Sequence, residues 1–339
     1  MHKERIKRCI AKVSVPYLVT GQADQYYLTG VNLEGYWLLL TKQGAVVFTS
    51  PLLGDHLRAL LPDIEIVSGN DIFKLLVEFC KNKKIKQIAL DSRQVSYALG
   101  KKLSSSFSLR ILNGFVAQFR IVKDAGEIEK IKAACRITAG AVNHARKLLK
   151  PGVTEEEIGF IIEEFFAKRH ARMAFSPIVA FGPHSAEPHH VNSRRRLAKN
   201  DTALLDIGCV YQGYCSDLTR TFFLGKICEL QKQIYSLVSE AQTLAVKGIR
   251  SGRKASDIDG IARSVISRRG YGPQFIHSTG HGVGIDIHEP PRISNKDNTV
   301  LKPGMVITVE PGIYLPGKFG VRIEDTVLVT HKGNEVLTR

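Results

Sequence analysis

The stretch "ALLDIGCVYQGYCSDLTRTFFL", residues 203–224, decides how this chain is read. Two runs of apolar, β-branched and aromatic residues flank a Tyr211-Gln212-Gly213 turn, the pattern of paired antiparallel strands. Asp206 and Asp217 interrupt those runs. Their midpoint falls between Tyr211 and Gln212, so a symmetric hairpin sets the two carboxylates opposite each other on one face. Residues so paired have Cβ atoms roughly 5 Å apart, where like charges destabilise the pair. Such a hairpin needs something to hold its acids.

A second pair follows. "LKPGMVITVEPGIYLPGKFGVRIEDTVLVT", residues 301–330, reads as two strands around a Pro- and Gly-rich turn, with Glu310 and Glu324 symmetric about Gly317. Register matters here, because a slip of one residue sends a side chain to the other face. One acid in a strand ordinarily faces solvent; four in two symmetric hairpins point to a shared site. Converging in an apolar setting, four carboxylates repel or take up protons unless cations hold them. Two divalent ions balance the four charges, spaced about 3.5–4 Å apart as in two-metal hydrolytic sites. A neutral imidazole is the usual companion ligand, and "HSTGHGVGIDIHEPP", residues 277–291, offers His277, His281 and His288. His277 and His281 have the i, i+4 spacing of a helical metal pair, but Gly280, Gly282 and Gly284 favour a loop or a close-packed strand. No H-E-x-x-H is present.

The rest of the chain limits the setting. With 339 residues and 44% hydrophobic content it can bury a large core, and two domains are expected. Short apolar runs ("YWLLLT", "AVVFTS", "QIALDS", "LRIL") alternate with helical-period segments up to about Leu112, the pattern of a small α/β domain. Residues 123–152 then carry apolar positions at helical spacing to a Pro-Gly stop, and a T-E-E-E capping sequence at Thr154 opens a second helix to about Lys168. We place the boundary between residues 1–115 and 116–339. No internal sequence repeat is seen.

No run reaches the eighteen apolar residues that would cross a membrane, the nearest being "YWLLL" at residues 36–40, and the basic N-terminus lacks an apolar signal core. A soluble cytoplasmic protein without a membrane partner is expected. The six cysteines, at positions 9, 80, 135, 209, 215 and 228, form no C-x-x-C pair and read as buried free thiols. A net charge of +16 attracts polyanions, but no basic cluster is interleaved with aromatics or set in a nucleic-acid motif. Nucleic acid is not the expected partner.

The order Asp206, Asp217, His281, Glu310, Glu324, in the contexts "DIGCVYQGYCSDLTRT", "HSTGHGVG", "TVEPGIY" and "VRIEDT", resembles the dinuclear metallopeptidases of the pita-bread fold. The resemblance covers residues 123–339 closely and the first domain more loosely. It implies an α/β (α+β) chain: a small creatinase-type N-terminal α/β domain, then a pita-bread domain whose curved, largely antiparallel sheet is covered by helices. It also implies two divalent ions on those five residues. Four carboxylates and one imidazole suit Mn, with Co, Zn or Fe as other candidates.

Methionine aminopeptidases generally lack such a first domain and the arginine of "VRIED", and the metal-free creatinase-like scaffolds have lost the ligands, which all stand here. The extended "HSTGHGVGIDIHEPPRIS" with "EPGIY" and "VRIED" most resembles the proline-specific branch. That branch implies a substrate with proline in second position and a homodimer. By resemblance His189, beside His190, contacts the substrate near the scissile bond, and His288 stabilises the tetrahedral intermediate. Phe175 and His277 form the proline pocket, Arg322 orients its neighbours, and Glu310 also moves the proton. Aminopeptidase P and Xaa-Pro dipeptidase share this machinery. The short first domain shows no lid insertion that would exclude longer peptides, which favours the aminopeptidase P type, with the dipeptidase as the alternative.

Overall fold

The apolar runs of the first domain pair into one mixed six-stranded sheet. In the computed structural model, which describes residues 2–339, its strands lie in the order Glu65–Ser68, Gly44–Thr49, Tyr36–Thr41, Tyr17–Val19, Gln87–Leu90, Ser108–Ile111. Tyr17–Val19 runs antiparallel to Tyr36–Thr41 on one side and parallel to Gln87–Leu90 on the other. The run that came nearest to a membrane span is a central strand, with Leu38, Leu39 and Leu40 fully buried, as expected where a strand is covered on both faces. Leu76 and Cys80 of the helix Ile72–Asn82 pack against Leu39, Phe48, Ile88 and Leu90 of the sheet. Among the described residues no helix is long and apolar enough to cross a membrane; all six cysteines are free, but Cys228, just before a helix start, is exposed and not buried as expected.

The chain divides into compact units after Arg120, a little beyond the boundary placed at 115/116. The second unit, Ile121–Arg339, is built as one motif used twice. Helix Ala125–Leu148 starts at a capping box of Asp124 and Glu127, and helix Glu155–Ala167 at one of Thr154 and Glu157. Their apolar faces pack on the strands Thr202–Ile207 and Leu218–Phe223 through Ala134, Val142, Ile158, Ile162, Leu205 and Leu218. Helices Glu229–Gly248 and Ala255–Arg268 do the same for strands Val306–Val309 and Asp325–Val329, through Val238, Ala241, Ile258, Ile307 and Val327. The backbone repeats in detail. Gly152 and Glu155 donate to Leu197 O and Arg195 O, and Gly252 and Ala255 donate to Leu301 O and Thr299 O. This duplication shows no sequence repeat because the halves share hydrogen bonds and apolar positions rather than side chains.

The first hairpin departs from its expected register. Gln212 and Gly213 both have positive φ, 47° and 77°, as the two central residues of a type I′ turn require. The turn is therefore Gln212-Gly213, Tyr211 pairs with Tyr214, and the same register carries Asp206 to Thr219. Asp217 is not opposite Asp206. It lies two residues before that partner, in the break between Tyr214–Cys215 and Leu218–Phe223, still on the same face but diagonal to Asp206. The second hairpin keeps one register throughout: Gly312 pairs with Arg322 and Val309 with Asp325, which sets Glu310 and Glu324 opposite each other in the gap between.

Candidate metal centre

Five side chains meet at the two hairpins: Asp206 and His281 from strands, and Asp217, Glu310 and Glu324 from the breaks between strands. His281 sits on the short strand Gly280–Gly282, between strands Glu289–Ile293 and Val306–Val309. Its glycine neighbours are required by contact: a Cβ on Gly280 would lie 2.1 Å from Thr308 O. The i, i+4 pair His277 and His281 is thus on a turn and a strand, not on a helix.

Donor atoms of Asp217, His281 and Glu324 all lie within 4.8 Å of one another. His281 Nε2 is 3.6 Å from Asp217 Oδ2 and 3.5 Å from Glu310 Oε1. Asp217 and Glu324 are buried; Asp206, Glu310 and His281 keep a small exposed edge on the cleft.

The electrostatics of this cluster call for cations. Burial, then repulsion from Glu324 and Asp206, holds the Asp217 carboxyl well above the usual range. Glu324 is raised in the same way, by burial and then by Glu310 and Asp206. Burial pushes Glu310 up to about 7. Burial pushes His281 down to about 4, so its ring is neutral near pH 7. Its Nδ1 lies 3.0 Å from Gly282 O and donates there, which leaves the Nε2 lone pair facing the carboxyl groups of Asp217 and Glu310. Asp206 Oδ1, Asp217 Oδ1 and Glu324 Oε1 are buried without a hydrogen-bond partner, a costly state for polar atoms. Divalent ions satisfy all of these atoms together, and the donor set fits them.

One prediction follows from the repulsion alone. In chelator, Asp217→Asn removes a buried like charge and raises the melting temperature, by roughly 2–4 °C for each kcal/mol relieved. In Mn2+ the same variant melts below the wild type. Thermal unfolding in the two buffers checks this, and an equal shift in both would mean that no ion joins these carboxylates.

A frame of hydrogen bonds surrounds the acids. The buried Arg322 guanidinium donates to Asp206 Oδ2, to the Tyr314 hydroxyl at 2.8 Å and to Thr219 Oγ1 at 3.2 Å. Thr219 in turn donates to Glu324 Oε2 at 2.6 Å. His277 Nδ1 donates to Ser278 O, so its Nε2 accepts from the Tyr314 hydroxyl at 2.9 Å. The ring of His288 stands edge-on to His281, with centroids 4.3 Å apart.

Asp206, Asp217, His281, Glu310 and Glu324 line a cleft of about 1070 Å³ together with Phe175, His189, His277, His288 and Arg322. All ten residues singled out from sequence therefore face one space. His190 lines it too, but its ring is held by Glu155 and Glu187.

Sequence reasoning missed Tyr314, Thr219 and Arg292. Tyr314 stands in the quoted "EPGIY" and Arg292 in "HEPPR", but nothing in a linear motif says what a side chain touches. Arg292 is exposed on the cleft, and its guanidinium makes no hydrogen bond or ion pair with another described residue.

A two-hairpin unit with an imidazole and four carboxylates at its centre defines a metal-dependent hydrolase of the peptidase class. Residues 129–331 match the metallopeptidase family M24 and residues 12–122 the creatinase/prolidase N-terminal domain; the chain belongs to metallopeptidase family M24. The family resemblance seen in the order of the five residues therefore holds. The chain is 38% identical over 328 residues to an Xaa-Pro dipeptidase of Pyrococcus horikoshii, covering 95% of this chain and 92% of that one. It matches the structure of an Xaa-Pro dipeptidase from Bacillus anthracis with a TM-score of 0.96 at 34% identity, over 100% of this chain and 97% of the other. An X-Pro aminopeptidase from Thermotoga maritima is matched with a TM-score of 0.90 at 35% identity, over 99% and 97%.

Proposed function

We propose that this chain is an Xaa-Pro dipeptidase, hydrolysing the single peptide bond of dipeptides that end in proline, in place of the aminopeptidase P type favoured by its sequence. The observation that carries this reading is Arg292, a cation on the cleft with no partner of its own. A dipeptidase must recognise the carboxylate of the substrate's proline, and a guanidinium binds a carboxylate through two parallel N–H bonds. Arg322, the other arginine of the cleft, is already committed to Asp206, Tyr314 and Thr219. The dipeptidases among the similar proteins support the same choice. The cleft is larger than a dipeptide, so selectivity rests on charge rather than on a physical stop.

In this reading Asp206, Asp217, His281, Glu310 and Glu324 hold two divalent ions, with Mn first among the candidates. When bound, such ions lower the pKa of a water and polarise a carbonyl. Glu310, whose carboxyl lines the cleft, would take a proton and return it to the leaving nitrogen. That return is needed, because proline leaves as a secondary amine. The bond offers no backbone N–H to recognise, so the ring is held by shape against Phe175 and the neutral His277, whose tautomer Tyr314 and Ser278 fix. His189 and His288 flank the reacting carbonyl.

Chelated protein reloaded with Mn2+ should cleave Ala-Pro and act at least ~10-fold more slowly on Ala-Pro-Ala and Ala-Pro-amide, which lack the carboxylate at that position. Equal rates on Ala-Pro and Ala-Pro-Ala would return the assignment to the aminopeptidase.

A further inference from the structure

Outside the five-residue centre, a second group of ligating side chains converges on a buried carboxylate. Glu155, the first residue of helix Glu155–Ala167, has its side chain wholly inaccessible. Its Oε1 accepts from Phe181 N at 2.9 Å and lies 2.9 Å from His184 Nδ1. Its Oε2 accepts from Ser193 N at 3.0 Å and Ser193 Oγ at 2.6 Å, and lies 2.9 Å from His190 Nε2. The two imidazoles stack with centroids 4.3 Å apart. His184 is 32% exposed, while His190 is 7% exposed and borders the cleft.

We propose that Glu155, His184 and His190 form a further divalent-metal site, separate from the dinuclear centre and suited to Zn2+ or a similar borderline ion such as Co2+. The donor types are those of a two-histidine, one-carboxylate zinc site. The spacing is close to what an ion needs. With bonds of about 2.0–2.1 Å in a tetrahedron, donor atoms stand roughly 3.3 Å apart; here each imidazole nitrogen is 2.9 Å from its own Glu155 oxygen, and one donor atom from each of the three residues lies within 4.8 Å of the others.

The outer partners are those of a ligating group. The second nitrogen of His190, Nδ1, lies 3.0 Å from Glu187 Oε2, the carboxylate–histidine arrangement that orients metal-bound imidazoles. Two backbone N–H groups and a hydroxyl fix the Glu155 carboxylate in the same manner. Charge also balances: one dication with two neutral imidazoles matches the carboxylates of Glu155 and Glu187. On binding, the protons that His184 and His190 now present to Glu155 are released to solvent, and the exposed side of His184 leaves a fourth position for water.

The duplicated fold shows that helix initiation does not require this group. At the equivalent start of the second half stands Ala255, buried, with the same backbone bonds on either side. The ion would tie the helix to the segment through Ser193, which carries Pro188 and His189 into the cleft wall.

Metal content tests this directly. Chelated protein saturated with Zn2+ and dialysed should retain about one ion more per chain than His184→Ala, and Glu187→Gln should hold that ion roughly 10- to 100-fold more weakly. Far-ultraviolet circular dichroism verifies folding; if His184→Ala does not fold, Glu187→Gln, on an exposed side chain, decides alone. Equal zinc content in the wild type and His184→Ala overturns the proposal and leaves a clasp held by protons. So does an extra ion that Glu187→Gln binds as tightly as the wild type does.

Discussion

Glu310→Gln lowers kcat for Ala-Pro by roughly 100- to 10,000-fold, the range for losing a general acid–base group, while KM changes little. The substitution keeps the shape and one oxygen but cannot accept a proton at pH 7. The surroundings of Glu310 suit proton transfer, since it lines the cleft, the Thr308 hydroxyl lies 3.5 Å away, and its backbone is fixed by a bond to Thr279 O. Because the same residue is a proposed ligand, metal content must be counted beside the rate. Activity restored by excess Mn2+ would assign Glu310 to metal binding alone, and loss that persists at full loading assigns it to proton transfer.

Arg292→Met separates substrates instead of abolishing turnover. Methionine keeps much of the apolar stem and removes the charge, so kcat/KM for Ala-Pro falls by about 10- to 100-fold, the worth of a charge-assisted pair. Ala-Pro-amide is affected little, and the preference between the two collapses. Loss of equal size on both substrates would make Arg292 a general structural residue and remove the main support for the dipeptidase reading.

Much of this site was legible in the sequence because its chemistry is unusual. Acids inside apolar strands are rare enough that Asp206, Asp217, Glu310 and Glu324 stood out, and the glycines beside His281 already argued against a helix, for a loop or a close-packed strand. The register of the first hairpin was not legible. It depends on Gln212 adopting positive φ, which a non-glycine residue seldom does, and that choice moved Asp217 from opposite Asp206 to a diagonal place. Nor could sequence tell one arginine from another. Arg322 and Arg292 both stand in quoted motifs, and only hydrogen bonds between distant strands show that the first is occupied and the second is not. His189 and His190 differ in the same way, by the presence of Glu155 beside one of them. The lean toward an aminopeptidase rested on the missing lid, a steric criterion, whereas the cleft points to a charge criterion.

The wide separation of the five central residues along the chain has a consequence for the protein's life before it is finished. Asp206 and Asp217 belong to the first hairpin, His281 to a strand between the hairpins, and Glu310 and Glu324 to the second. A ribosome-bound chain that has not yet emerged past Glu324, or an N-terminal fragment that ends before it, lacks at least one of the five. In the proposed reading, peptide-cleaving capacity therefore arrives only with the last of the five, and half-made copies are hydrolytically silent.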